Sequence, residues 1–165
     1  MEIILNDKKV ILQKKDRALG SEAPAIKVLM DSNESKVIGM MADKVQTFIT
    51  IPYSDGLSNE MIDILNKYKQ KSLIYIISTC KLNNTINDID TSTDFKDFSL
   101  KMGVNIDDNL CAKSIFIVNK DGEFVYKEVL KTLDGEFDIK SFDDALDGAI
   151  KFKKKGHTHE NWMGV

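Results

Sequence analysis

The sequence predicts a single α/β domain built on a mixed sheet, and three observations carry that expectation. Two β-branched, apolar runs, Val45–Ile51 and residues 73–77, are separated by a segment of helical periodicity, the pattern of a parallel βαβ unit buried on both faces. Two later runs, Ser114–Val118 and Phe124–Val129, flank Asp121-Gly122, a dipeptide that marks an antiparallel hairpin. A chain of 165 residues, 42% of them hydrophobic, is enough for one substantial core and asks for no second.

Taken in order, short apolar alternations at 2–5 and 10–13 bracket the charged turn Asn6-Asp7-Lys8-Lys9 and read as an N-terminal β-hairpin. Gly20-Ser21-Glu22-Ala23-Pro24 leads into a strand at 26–30. The first core strand, 45–51, stops at Pro52, which has no N–H to give a ladder. Met61, Ile62, Ile64, Leu65 and Tyr68 recur at helical spacing, behind Ser58 and Asn59 as candidate N-caps and with Glu60 in the first turn, where the helix dipole favours an acid. The second core strand, 73–77, gives way to a polar stretch at 81–92. A helix at 95–102 then ends on Gly103 as the residue after the cap. After the 114–129 hairpin, Ile139, Phe142, Leu146, Ala149 and Phe152 define an amphipathic closing helix. The order β-α-β-α-β-β-α behind a hairpin is the thioredoxin-like order, a central mixed sheet flanked by helices. The domain is read as 1–152, and 153–165 as a C-terminal tail.

Composition narrows the partners. With 23 Lys+Arg against 26 Asp+Glu and a net charge of -3, no broad basic surface is expected for nucleic acid or anionic lipid. The N-terminus has no basic region followed by an apolar one, and no apolar run approaches the roughly 18 residues of a membrane span, so a cytoplasmic protein is expected. Cys80 and Cys111 stand in no CxxC or metal-ligand spacing. His157 and His159, with Glu160 beside them, read as a polar tail rather than a metal site, and no metal or cofactor is expected. Trp162 and Met163 are an apolar pair suited to docking on the domain or on a partner.

Gly20-Ser21-Glu22-Ala23-Pro24-Ala25-Ile26-Lys27-Val28 resembles the G-x-x-A-P-x-F-x-V entry of the peroxiredoxins, and the N-terminal hairpin resembles that of the atypical two-cysteine group called thiol peroxidases. The similarity continues through Lys44 to Pro52, through 98–104, and through Ala112-Lys113-Ser114 to the Asp121-Gly122 turn. It covers residues 1–150, the scale of a whole domain. The resemblance implies redox, antioxidant chemistry on a cysteine thiolate and a homodimer. The family's reactive loop reads P-x-x-x-T/S-x-x-C, and the matching segment is Pro52-Tyr53-Ser54-Asp55-Gly56-Leu57-Ser58-Asn59-Glu60. Counted without a gap, Gly56 takes the Thr position and Asn59 the cysteine's; with a one-residue deletion, Ser58 takes the cysteine's place. The segment that carries the family's resolving cysteine, here 81–92, has none. The family's arginine before the third core strand corresponds to Lys113, which keeps the charge and loses the planar fork.

A peroxidatic thiolate is formed by a helix N-terminus and a nearby cation, and its sulfur attacks the O–O bond. A Ser58 hydroxyl has far too high a pKa for that role, and Asn59 is no nucleophile. What survives is a set of helix-start N–H groups, the hydroxyls of Ser54 and Ser58, and Lys113, suited to a small polar or anionic ligand. The plainer reading is that Ser58 or Asn59 only caps its helix and that Lys113 is a solvated strand-end charge. Cys80 and Cys111 are expected to border the same vacated site. One strand lies between them, which sets them about 10 Å apart, beyond the roughly 7 Å reach of a disulfide. Lys81 beside Cys80 favours its thiolate. Asp55 and Glu60 have no histidine near them in the chain, so no hydrolase pattern forms. The expected function is a thiol-peroxidase-like protein that has lost its peroxidase reaction and acts as a binding or regulatory module. The alternatives are a divergent thiol-dependent peroxidase or oxidoreductase using Cys80 or Cys111, and a partner-binding domain acting through its C-terminal tail.

Overall fold

The computed structural model describes residues 17–152 in full and the backbone of residues 2–5 and 8–11. In chain order the elements are β1 (Glu2–Leu5), β2 (Lys8–Ile11), β3 (Ile26–Leu29), β4 (Ser35–Ile38), β5 (Val45–Ile51), α1 (Asn59–Tyr68), β6 (Ser72–Ser78), β7 (Asp90–Ser92), α2 (Lys96–Met102), β8 (Asn105–Asp107), β9 (Leu110–Cys111), β10 (Ser114–Val118), β11 (Phe124–Val129) and α3 (Ile139–Lys151). The central sheet has the order β11-β10-β5-β6-β7. Strands β5, β6 and β7 run parallel, and β10 runs antiparallel to both β5 and β11. This is the thioredoxin-like arrangement, and β1 pairs with β2 as the N-terminal hairpin.

Side-chain alternation divides the core into two layers, because successive strand residues face opposite sides of the sheet. Ile49, Ile51, Ile74, Ile76, Ile115 and Ile117 pack against α1 and α3, while Phe48, Tyr75, Ile77, Phe116 and Val118 pack against α2 and the β3–β4 and β8–β9 hairpins. Helix α1 buries Met61, Ile64, Leu65 and Tyr68, a spacing of three and four that lays one stripe on the sheet. Helix α3 does the same with Phe142, Leu146 and Ala149, behind Asp138, whose carboxylate accepts the Ser141 N–H at 3.1 Å. Helix α2 ends at Gly103, whose φ of 77° is the left-handed cap that its composition suggests.

The structure adds elements that the hydrophobic pattern does not mark. The polar stretch at 81–92 contains β7, the edge strand of the sheet, where the Thr91 hydroxyl donates to Asp31 Oδ2 at 2.7 Å and the Ser92 hydroxyl to the Leu29 carbonyl at 2.5 Å. The strand expected at 26–30 ends at Leu29 and pairs with β4, a four-residue strand that buries Ile38 alone and so shows no buried-strand pattern. The short β8–β9 pair precedes the third core strand. Among the described residues no helix is long and apolar enough to cross a membrane. The tail residues His157, His159, Glu160, Trp162 and Met163 lie outside the described residues.

One polar residue inside the core strand is satisfied by the backbone of a glycine that the chain needs for another reason. Gln46 is fully buried on β5, and its amide is satisfied by Gly39: Oε1 accepts the Gly39 N–H at 2.9 Å and Nε2 donates to the Gly39 carbonyl at 3.1 Å. Gly39 has φ 91°, and a Cβ there would stand 2.0 Å from the Pro24 carbonyl oxygen, whereas Gly20, at φ 85°, would place its Cβ in open space. Gly39→Ala is therefore expected to lose clearly more stability in urea denaturation than Gly20→Ala, whose loss is the conformational strain alone, about 1–2 kcal/mol. Equal losses would show that the contact with Pro24 contributes nothing.

Candidate functional site at the end of the central strand

The site begins where β5 can no longer pair. Pro52 is buried, and the chain leaves the sheet as a loop tied to the end of β6: the Thr79 N–H donates to the Ile51 carbonyl at 3.1 Å and the Thr79 hydroxyl to the Pro52 carbonyl at 2.6 Å. The Asn83 N–H reaches the Ser54 carbonyl at 2.7 Å, and the Gly56 N–H closes a turn on Tyr53 at 3.3 Å. In this turn a Cβ on Gly56 would lie 2.3 Å from Ile51 Cγ2, so the loop lies too close to the strand for a threonine. Ser58 is the N-cap of α1: its backbone is extended and its Oγ accepts the Met61 N–H at 3.1 Å, meeting one of the unpaired donors of a helix start.

Two other segments complete the site. Lys113 directly precedes β10 and shares the parity of Ile115 and Ile117, which places it on the α1/α3 side. The connection from β11 to α3 passes over it and supplies Asp134, Gly135, Glu136 and Phe137. Together these segments enclose a cleft of about 490 Å³ between Tyr53, Gly56 and Ser58 on one side and Asp134 with 136–139 on the other, with Lys113 within.

Lys113 is 4% exposed. Its Nζ donates to the Gly135 carbonyl at 2.8 Å and to the Tyr53 hydroxyl at 3.4 Å, and it lies 5.4 Å and 5.1 Å from the ring centres of Tyr53 and Phe137. Among the described residues no carboxylate oxygen comes within 4.0 Å of it. Desolvation holds its ammonium below the ordinary lysine range, opposed at longer reach by Glu136, Asp55 and Asp134. Tyr53 is pushed up by its own desolvation and by the same three carboxylates, so it stands in the cleft as a neutral hydroxyl. The rim carries five carboxylates, Asp55, Glu60, Asp134, Glu136 and Asp138, against the one ammonium.

Gly56, Ser58 and Lys113 line the same cleft, and Pro52 lies buried at the loop's start. Asn59 does not join them: it is the exposed first residue of α1, and Ser54 also lies outside the lining. Lys113 is not a solvated strand-end charge, because the β11–α3 connection covers it. The abundance of carboxylates disfavours a simple anion in this cleft.

The cysteines do not border the cleft. Cys111 is fully buried in the opposite layer with Phe98 and Val104, and burial pushes its thiol up to about 12, so it is protonated at neutral pH and inert as a nucleophile. It leaves the α1/α3 side because β9 folds onto β8 before the chain enters β10. Cys80 is exposed, and the next residue, Lys81, lines a separate cleft of about 290 Å³ with Asp31 and Thr93. Tyr53, Phe137 and the carboxylates at 134–138 line the cleft without being marked as site residues by the sequence. Their only sequence signal is the alternating acids of Asp134-Gly135-Glu136-Phe137-Asp138. Among the described residues no group of His, Cys, Asp or Glu is placed to hold a metal ion.

No family model and no curated protein matches the sequence, but solved structures do. The chain is similar to a peroxiredoxin-like protein from Aquifex aeolicus, at TM-score 0.74 and 19% identity over 90% of this chain and 96% of that one. It is also similar to a thiol peroxidase from Chromobacterium violaceum, at TM-score 0.69 and 14% identity over 89% and 96% of the two chains. The mitochondrial 2-Cys peroxiredoxin from Plasmodium falciparum aligns at TM-score 0.60 and 17% identity over 81% and 94%. The chain thus has the fold of the peroxiredoxins and thiol peroxidases, which it resembles through nearly its whole described length.

Two measurements check this description of the site. Replacing Gly56 by alanine forces Ile51 aside and is expected to cost about 1–3 kcal/mol in denaturant unfolding; an unchanged midpoint would show that the loop yields freely. The second concerns Lys113, whose folded-state pKa lies below the 10.5 of a free lysine. The unfolded chain then binds more protons in the window between the two values, so this residue's burdened contribution improves as pH rises through that window toward about 10.5. The stability of Lys113→Met relative to wild type is expected to be most favourable near neutral pH and to decline on the alkaline side. A difference that stays flat up to about 10.5 would mean that Lys113 titrates as if exposed.

Proposed function

We propose that this chain uses a peroxiredoxin-type scaffold as a binding or regulatory module, with the peroxidase reaction lost and a small ligand taken into the cleft at Lys113. One observation carries the reading. The helix start that would present the family's thiol carries Ser58 and Asn59 instead, the Ser58 oxygen engaged with the Met61 N–H, beside a formed cleft of about 490 Å³ that no cysteine lines. A hydroxyl in that position stays protonated at neutral pH, so the electrons that a thiolate would deliver to a peroxide are not available there. What the cleft retains is recognition: a buried ammonium, a neutral phenol, two aromatic faces and a ring of carboxylates. A mostly polar cleft of this size, with two ring faces beside its charged groups, suits a small polar molecule.

The exposed Cys80 supports a second reading, a thiol-dependent oxidoreductase working away from this cleft. Peroxide consumption with a thiol reductant separates the two. Wild type, Cys80→Ser and Cys111→Ser are expected to match one another at the rate of free thiol. Turnover well above that background in wild type, abolished in Cys80→Ser, would overturn the binding reading in favour of the second. Amide-resolved NMR against a panel of small polar molecules tests binding itself: shifts are expected at Gly56, Ser58 and Gly135, and a panel that moves none of them would remove the cleft from consideration.

A further inference from the structure

Opposite charges line this one cleft without meeting. Lys113 is buried and has no carboxylate within 4.0 Å among the described residues, although Glu136, Asp55 and Asp134 are near enough to act on it through space. A buried ammonium is costly to keep without a counter-charge. Of its three N–H donors, one is well used on the Gly135 carbonyl at 2.8 Å and one weakly on the Tyr53 hydroxyl at 3.4 Å. The carboxylates stand exposed at the mouth, and a cleft lined at its mouth by one sign of charge concentrates the opposite sign there. A simple anion would have to pass those carboxylates to reach Lys113. A simple cation would be drawn to the mouth but would find a second cation inside.

We propose that the cleft receives a zwitterion, a small molecule whose carboxylate pairs with Lys113 and whose ammonium group, set off by an aliphatic spacer, is held among Asp55, Asp134 and Glu136. The rings of Tyr53 and Phe137 give the spacer an apolar wall. The ligand would bridge the gap that the protein leaves between its own charges, and only a molecule with both ends satisfies both sets of groups. This inference rests on the cleft being a ligand site and adds the chemical class of what it takes.

Three probes of equal carbon length test it on the full chain: 6-aminohexanoate, hexanoate and hexylamine, titrated with the amides of Gly56, Ser58 and Gly135 as reporters. The zwitterion is expected to bind at least about tenfold more tightly than either single-charge probe, the effect of one added charge contact in a partly desolvated site. In Lys113→Met its affinity falls to that of hexylamine. In the triple variant Asp55→Asn with Asp134→Asn and Glu136→Gln, which changes only exposed residues and spares the core, it falls to that of hexanoate. Equal affinities for all three probes, or hexanoate or hexylamine binding best, would overturn the zwitterion and leave the cleft standing as a ligand site. If none of the three moves the reporters while other molecules of the wider panel do, the charge class fails alone. Silence to the whole panel would end both proposals.

Discussion

Every residue of Val45–Ile51 is buried, and the rest of the molecule is arranged around that fact. A strand with no exposed side chain must lie between two others and be covered on both faces. It pairs with β10 on one side and β6 on the other, under α1 and α3 on one face and α2 with the small hairpins on the other. The three polar members of the strand are tolerated because each finds a partner: Gln46 at Gly39, Thr47 at Ser72, and Thr50 at Ser114 and the Ala112 carbonyl. Such groups are costly only when left unpaired. The chain can then leave the strand only at its end, where Pro52 stops the ladder and Thr79 ties the exit loop to β6. The location of the cleft is a consequence of the sheet.

Lys113 shows how a charge is kept inside such a frame. It enters from the strand that flanks β5 and would have no place in an apolar layer. The β11–α3 connection answers with the Gly135 carbonyl and the Phe137 ring, while the exit loop answers with Tyr53. None of these neutralises the ammonium; they replace part of its lost water with oriented dipoles and ring faces. The carboxylates at the rim offset some of the remaining cost by acting at a distance. The lysine and the rim acids therefore belong together energetically even though they form no ion pair.

The fold was legible in the chain wherever burial is periodic. The buried faces of α1 and α3, the unbroken β5 and β6, the left-handed Gly103 and the turn at Gly122, with φ 84°, follow from patterns that one helix or strand writes into its own sequence. Ser58 was readable as a cap for the same reason. Strands β4 and β7 were not, because each is short and buries a single residue, Ile38 in one and Ser92 in the other, too little to write a period into the sequence. The surroundings of Lys113 and the side taken by Cys111 were also hidden. The first depends on how the distant connection 130–138 folds over Lys113, and the second on the short β8–β9 pairing, to which Cys111 itself belongs and which no hydrophobic pattern marks.

The departures from the peroxidase loop are physically linked. Gly56 stands where the resembled family places threonine or serine, and the turn has closed onto Ile51 until no side chain fits. Ser58 stands at the helix start, where a thiol would gain from the unpaired N–H groups and from Lys113. That gain would be set against five nearby carboxylates, each of which disfavours a second negative charge in the same cleft. A sulfur at Ser58 would therefore meet opposing influences, from the helix start and Lys113 on one side and from the rim acids on the other. The helix start thus carries a serine cap in place of a sulfur, beside a cleft that combines one buried ammonium with a rim of carboxylates.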